Sequence, residues 1–242
     1  MRAIDGWVRR VGSFRPAANA DEVHILSDGI VLNQSRSITV EDALFNHPQY
    51  EGGGGNGYSY VLQGGDNLFV DCGTVSSRHG FSFKKPWASG NVILGGSSSN
   101  PRLAVDFHMH LSLANLIDGL TLEDDFIDAT YRQWGTVVHG HTTSQSVLWN
   151  TVGIDGSGST IVDSRQFGDG YVVGTRGSPF DVVTTPTIDQ VETAPEDHLE
   201  GEGYGETLTP ASLYVDQLAR RLTGDAVPAG VDLETLPVLE DA

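Results

Sequence analysis

The chain is short of cysteine, of lysine and of long apolar runs, and each shortage closes off a class of protein. A single cysteine, Cys72, in 242 residues excludes an internal disulfide framework. It ends the apolar run "NLFVDC" and reads as a small core residue rather than a nucleophile. Lys84 and Lys85 are the only lysines, and Lys and Arg together number 14 against 32 Asp and Glu. A chain this acidic lacks the basic footprint of a nucleic-acid binder. No run reaches the ~18 apolar residues of a membrane span, so no membrane partner is expected. The N-terminal "MRAIDGWVRRVG" is basic but has no apolar centre, so it does not read as a secretory signal. An extracellular location would require a longer precursor.

High carboxylate with almost no lysine is similar to the surface of a halophile's protein, which bears on solubility and not on fold. Thirty glycines and many short β-rich runs argue against a helical protein. The runs repeat. "SITVED" begins at Ser37, "NLFVDC" at Asn67, "NVILGG" at Asn91, "NLIDGL" at Asn115 and "SVLWNT" at Ser146, with spacings of 30, 24, 24 and 31 residues. A weaker run, "STIVDS", begins at Ser159. One short β-run per repeat, with a second upstream of it, predicts a β-solenoid whose equivalent positions stack at the strand spacing of about 4.8 Å. Asn at the anchor suits a tight turn, where its side chain bonds backbone and tolerates the left-handed region. A β-sandwich or jelly roll also has many short strands, but the near-constant period favours the solenoid.

Across residues 23–177 this pattern resembles the right-handed parallel β-helix proteins of the pectin-lyase-like superfamily. The resemblance implies an all-β solenoid of about five or six coils. Many such proteins are polysaccharide lyases, hydrolases or epimerases that hold the glycan in a groove along one sheet. The N-terminal end of a solenoid is an open sheet edge. Residues 1–22, a second copy of the chain or further upstream coils would cover it. Residues 178–208 are polar and read as extended loop. Residues 209–223 predict a helix with Thr209 as N-cap and Pro210 at the first helical position. Its apolar stripe is Tyr214, Leu218 and Leu222, docked on the solenoid side or on a neighbouring subunit. Residues 224–242 contain no Lys, Arg or His and read as a mobile acidic tail.

Four of the eight histidines fall in two H-x-H pairs, "DFHMHLS" with His108 and His110, and "VVHGHTT" with His139 and His141. Each pair lies seven and five residues before an anchor, so the pairs are expected on one strand of successive coils. Alternation then turns Phe107, Met109 and Leu111 inward and Asp106, His108 and His110 outward. Lys84 joins this patch, in the column of His108 by distance or of His110 by the likeness of "GFSF" to "GYSY". Arg78 faces outward with it, and His79 shares the face of Phe81 and Phe83. Ten of the chain's 22 Lys, Arg and His lie within residues 78–141, which suits an anionic ligand.

Lyase chemistry on a uronate needs a cation for the carboxylate, a base for the C5 proton and an acid for the leaving oxygen. Arg78 and Arg132 are candidates for the first. His108, His139 or Lys84 are candidates for the base, and Tyr58, Tyr60 or a second histidine for the acid. Asp106 would orient a histidine. The same imidazoles, His110 and His141 included, are with Asp106 a donor set for Zn²⁺ or another transition metal. A hydrolase would pair Asp106 with Asp124, Asp125 or Asp128, residues that otherwise read as a solvated loop. A non-catalytic histidine ladder, structural or carbohydrate-binding, is the remaining reading. "EGGGGNGYSY" has no strand–helix context and reads as a flexible loop.

Overall fold

The computed structural model describes every residue except 1, 21, 51, 133–138, 157, 186–195 and 224–242, so the expected tail lies outside the described residues. The described chain is a parallel β-solenoid of about six turns with one C-terminal helix. Its strands form three stacks. The first contains β1 (Ile4–Arg9), the second half of β2 (Ile30–Glu41), β5 (Leu68–Val70), β8 (Val92–Leu94) and β12 (Leu116–Asp118). It continues through the first halves of β18 (Val147–Ile154) and β20 (Asp169–Gly177) to β22 (Glu196–Glu200). The second holds β3 (Leu44–Asn46), β6 (Gly73–Val75), β9 (Ser97–Ser99), β13 (Thr121–Glu123) and the ends of β18 and β20. The third runs from the start of β2 through β4 (Tyr58–Gly65), β7 (His79–Lys84) and β10 (Val105–Met109). It ends in β14 (Ile127–Ala129), β19 (Thr160–Ser164) and β21 (Asp181–Val183).

The anchors are the backbone of the first stack. The Ile38 N–H donates to Asn67 Oδ1, the Asn67 Nδ2 to Asn91 Oδ1 (2.8 Å), and the Asn91 Nδ2 to Asn115 Oδ1 (2.9 Å). The Asn115 N–H then donates to Ser146 Oγ, and the Ser146 N–H to Gln166 Oε1. The Gln166 N–H reaches Asp197 Oδ2, so every link runs towards the next coil and ends on a carboxylate. The Asn67, Asn91, Asn115, Ser146 and Gln166 side chains are buried, and the ladder satisfies polar groups that burial would otherwise leave unpaired. The left-handed residue is the one before the Asn (Asp66, Gly90, Ala114), not the Asn itself. Two expectations shift. Ile38, not Ser37, aligns with Asn67, and the column after Ser146 continues at Gly170 while Ser159 leads into the third stack. A second left-handed corner recurs two residues after each inward apolar position of the first stack, at Asp42, Asp71, Gly95, Gly119, Asn150 and Gly174. In each of these six coils the corner is taken by Gly, Asn or Asp, the residues that tolerate that backbone best.

Inside, the apolar columns stack face to face. Tyr60 lies on Phe81 (4.7 Å) and Phe83 on Phe107 (4.5 Å), all fully buried. The solenoid also extends beyond its expected limits. The segment expected to cap the N-terminal end is itself the first rung, β1, paired in parallel with β2. The expected loop 178–208 contains β21 and β22, which add rungs to two stacks.

The helix α1 (Leu213–Thr223) begins three residues later than expected, at Leu213 rather than Pro210. Pro210 and Ala211 offer their carbonyls to Trp149 Nε1 and Asn150 Nδ2, which holds this segment against the solenoid in non-helical form. Ser212 caps instead: its Oγ accepts from the Val215 N–H and donates to Asp118 Oδ2, which also accepts the Tyr214 N–H. Val215 is the buried contact, and Leu222 is exposed. No helix among the described residues is long and apolar enough to cross a membrane.

Candidate active site

The outward side of the third stack carries a cluster centred on Asp106. Ser82, Asp106, Asp128 and Asp163 occupy one column on successive coils. Stacked carboxylates repel, and arginines intervene. Arg132 places Nη1 2.9 Å from Asp106 Oδ2 and Nη2 2.7 Å from Asp128 Oδ2, and Arg165 pairs with Asp163. Asp106 is 0% exposed. Its Oδ1 accepts from Ser82 Oγ (2.6 Å), and its Oδ2 lies 2.7 Å from His108 Nδ1. Burial opposes its charge, yet His79, Arg132 and His108 hold its carboxyl well below the usual range.

The strand positions His108 by an irregularity. Phe83 pairs with Phe107 and Lys84 with Met109, which leaves His108 as the extra residue of a bulge. Neither expected register for Lys84 therefore holds. Met109 ends the strand, and His110 and Leu111 adopt left-handed backbone. So "DFHMHLS" is not one alternating strand. His108 faces the cluster, while His110 turns to Lys85, 3.5 Å from its Nζ.

The second pair also differs from expectation. The strand one coil beyond β10 is β14, not "HGH". The chain then forms a two-stranded antiparallel excursion, β15 (Tyr131–Arg132) against β16 (Gly140–His141). It rejoins the coil at β17 (Thr143–Ser144), beside β11 (Ser112–Leu113). His139 nonetheless comes to His108, with the two Nε2 atoms 3.4 Å apart. His141 does not: it packs between Tyr131 and Phe167.

Tyr58, Lys84 and His79 complete the cluster. Ser59 and Tyr60 both face the interior, Ser59 on Thr74 and Tyr60 on the carbonyls of Ala43 and Gly73. Two inward residues in succession reverse the alternation, so Tyr58 emerges on the outer side. Tyr60, expected to touch substrate, is a core residue. His79 follows Tyr58, stacking on it at 4.9 Å. It was expected on the Phe81 face, but it stands edge-on to His108 (5.5 Å) instead. The Lys84 ammonium sits 3.5 Å above the Tyr58 ring. Arg78 donates to the Tyr58 hydroxyl (3.1 Å) from a half-buried position.

Burial sets the protonation states. It pushes Lys84 down to about 8 and His79 to about 4, and it lowers His108 below the ordinary imidazole range. It lifts Tyr58 to about 12. His108 is thus neutral near pH 7. With Nδ1–H given to Asp106, its Nε2 is the basic atom.

His79, Asp106 and His108 have nitrogen and oxygen atoms within 4.8 Å of one another. The two Nδ1 atoms are engaged within the cluster, while His79 Nε2 is buried without a hydrogen-bond partner. His79 Nδ1 is engaged by the Ala104 carbonyl (2.6 Å), His108 Nδ1 by Asp106, and the Arg132 guanidinium occupies the remaining approach to Oδ2. The donors converge on one carboxylate oxygen rather than around a cavity.

The carboxylates expected in a solvated loop separate. Asp124 is exposed and Asp128 is paired with Arg132. Asp125 is only 8% exposed, with Oδ1 accepting from the Phe126 (2.7 Å) and Val105 (3.3 Å) N–H groups and Oδ2 without a partner. It lines a cavity of about 220 Å³ with Phe126, Gly156, Thr160 and Pro179. Burial pushes its carboxyl up to about 7.

No protein-family model matches this chain, and no curated protein or solved structure matches it either.

Proposed function

We propose that this solenoid is a carbohydrate-active enzyme of the right-handed β-helix kind, acting on a uronate-type glycan by β-elimination. The observation that carries the reading is the Asp106–His108 dyad, whose imidazole stands edge-on to Tyr58 at 5.9 Å, the ring that the Lys84 ammonium covers. His108 takes the C5 proton through Nε2. The C–H electrons form the C4–C5 double bond, the C4–O4 bond breaks, and the Lys84 ammonium protonates the departing oxygen. An acid of pKa about 8 beside a neutral imidazole suits this division near pH 7. His139 relays the proton from His108. Half-buried Arg78 and Lys85 hold the substrate carboxylate at the rim. Arg132 is engaged by Asp106 and Asp128, so its part is to position the dyad.

A glycoside hydrolase is less well supported. It needs two available carboxyl groups, whereas Asp106 and Asp128 are both held by Arg132. A non-catalytic glycan-binding or structural solenoid is favoured by one observation, the depth of the cluster: Lys84 is 7% exposed and His108 8%. Incubation with a panel of uronate polymers decides. Ultraviolet absorbance from an unsaturated product, lost in His108→Ala with the fold retained, is expected. Reducing ends released without that absorbance would overturn the elimination, and no turnover of any polymer would leave the binding role.

A further inference from the structure

We infer that copies of this chain stack head to tail through the two ends of the first strand stack. β1 pairs with β2 on one side and β22 with β20 on one side; among the described residues neither has a strand on its other edge. An unpaired edge is a template for another strand. Both edges belong to the same parallel stack, so one more step of its register joins them. The column Ile38, Asn67, Asn91, Asn115 ends at Gly6 on one side and Asp197 on the other. Continuing it sets Asp197 against Gly6, His198 against Trp7, Leu199 against Val8 and Glu200 against Arg9 of the next copy.

Each of the last three pairs is chemically matched. Leu199 ends the inward column of Val172, and it is uncovered at 39% exposed. Val8 packs at the other end of the same core. His198 lies flat on Tyr171 at 5.1 Å, and Trp7, 76% exposed, supplies the next ring. Glu200 meets Arg9, whose guanidinium already holds Glu41 one coil further on. Charge agrees on a wider scale. Arg2, Arg9, Arg10 and Arg15 make the first twenty residues basic in a chain of net charge −18, whereas β22 contains Glu196, Asp197 and Glu200. Asp5 against Glu196 is the one like-charged pair. Such an interface is heterologous and does not close at two copies.

Sedimentation velocity and light scattering of the full chain across a concentration series, at about 0.15 M salt to screen the net charge, test this. Mass that keeps rising beyond a dimer is expected. Arg9→Glu with Arg10→Glu, and separately Glu196→Lys with Glu200→Lys, should each weaken association at least about ten-fold. Mixing the two variants should restore it, because each then offers the end the other needs; that recovery also shows that both are folded. A wild-type chain that stays monomeric, growth that stops at a dimer, or a mixture no more associated than its components would overturn the proposal.

Discussion

Replacing Asp125 by Asn isolates the energetic effect of one buried carboxyl. Asp125 sits at the corner between β13 and β14, with one oxygen bonded to two backbone N–H groups and the other without a partner. Burial raises its pKa from 3.8 to about 7, outweighing those N–H groups and the nearby Ser98 hydroxyl, which lies outside hydrogen-bond geometry. Between these values the folded chain binds the proton more tightly than the unfolded one, so stability falls as pH rises through the window. At about 1.4 kcal/mol per pH unit, the full displacement amounts to about 4 kcal/mol once pH is well above 7. Asparagine keeps the carbonyl acceptor, replaces the acid O–H by an N–H donor and never ionises. Urea denaturation of both chains from pH 4 to 8.5 gives the difference directly, with the titration of all other groups cancelling. Near pH 4 the two should agree within about 1 kcal/mol. At pH 8.5 the variant should be the more stable, by a margin approaching the full value. A difference that stays flat across the range would refute the assignment of a buried, protonated Asp125.

Three further outcomes follow from the site and the ladder. Activity on a uronate polymer should be bell-shaped in pH: it falls on the acid side as His108 protonates, at a pH below the ordinary imidazole range because burial lowers it, and it falls above about pH 8 as Lys84 loses its proton. Lys84→Arg should move only the upper limb to higher pH. Asp106→Asn should lower kcat by at least about a hundred-fold while leaving KM for the polymer little changed, because the imidazole loses its orienting partner; steady-state kinetics separate the two. Asn91→Ala leaves the Asn67 amide and its N–H without their acceptor, and should destabilise the fold by roughly 2–4 kcal/mol in a urea titration.

The repeat was legible because polar anchors at fixed spacing have no other economical explanation than stacking. Asn67, Asn91 and Asn115 mark it, and the ladder between their side chains is what the spacing implied. Ser37 misled by one position because the column there holds Ile38, whose backbone alone donates to the ladder. The site was legible in composition more than in geometry. Asp106, His108, His139, Lys84, Arg78 and Tyr58 do come together, but by routes that strict alternation cannot show. Ser59 turns inward beside Tyr60, a bulge reaims His108, and the chain between Tyr131 and His141 leaves the coil and returns. His110 and His141 were expected in the cluster because motif symmetry was read as spatial symmetry. His79 was assigned to the wrong face because Gly80, whose Cβ position is closed off by Thr74 and Ser98, faces inward beside Phe81 as Ser59 does beside Tyr60. Asp125 was a candidate only as one of three neighbouring aspartates: nothing in the run Glu123–Asp128 marks which acid the neighbouring coils close over.

The two central coils, Asn67–Gly90 and Asn91–Ala114, have the same length, open on the same side chain and close on the same left-handed backbone. They are therefore interchangeable units of inheritance: an in-frame duplication of one joins on without a seam, because each Asn accepts from the coil before and donates to the coil after. The proposed active centre is divided across that seam, with Lys84 and His79 on one unit and Asp106 and His108 on the next. A copy of the first unit would bring its own Lys84 to the dyad but part Tyr58 from His108, and a copy of the second would leave one dyad beside Lys84 and the other beside Arg132, so growth at this seam divides the cluster.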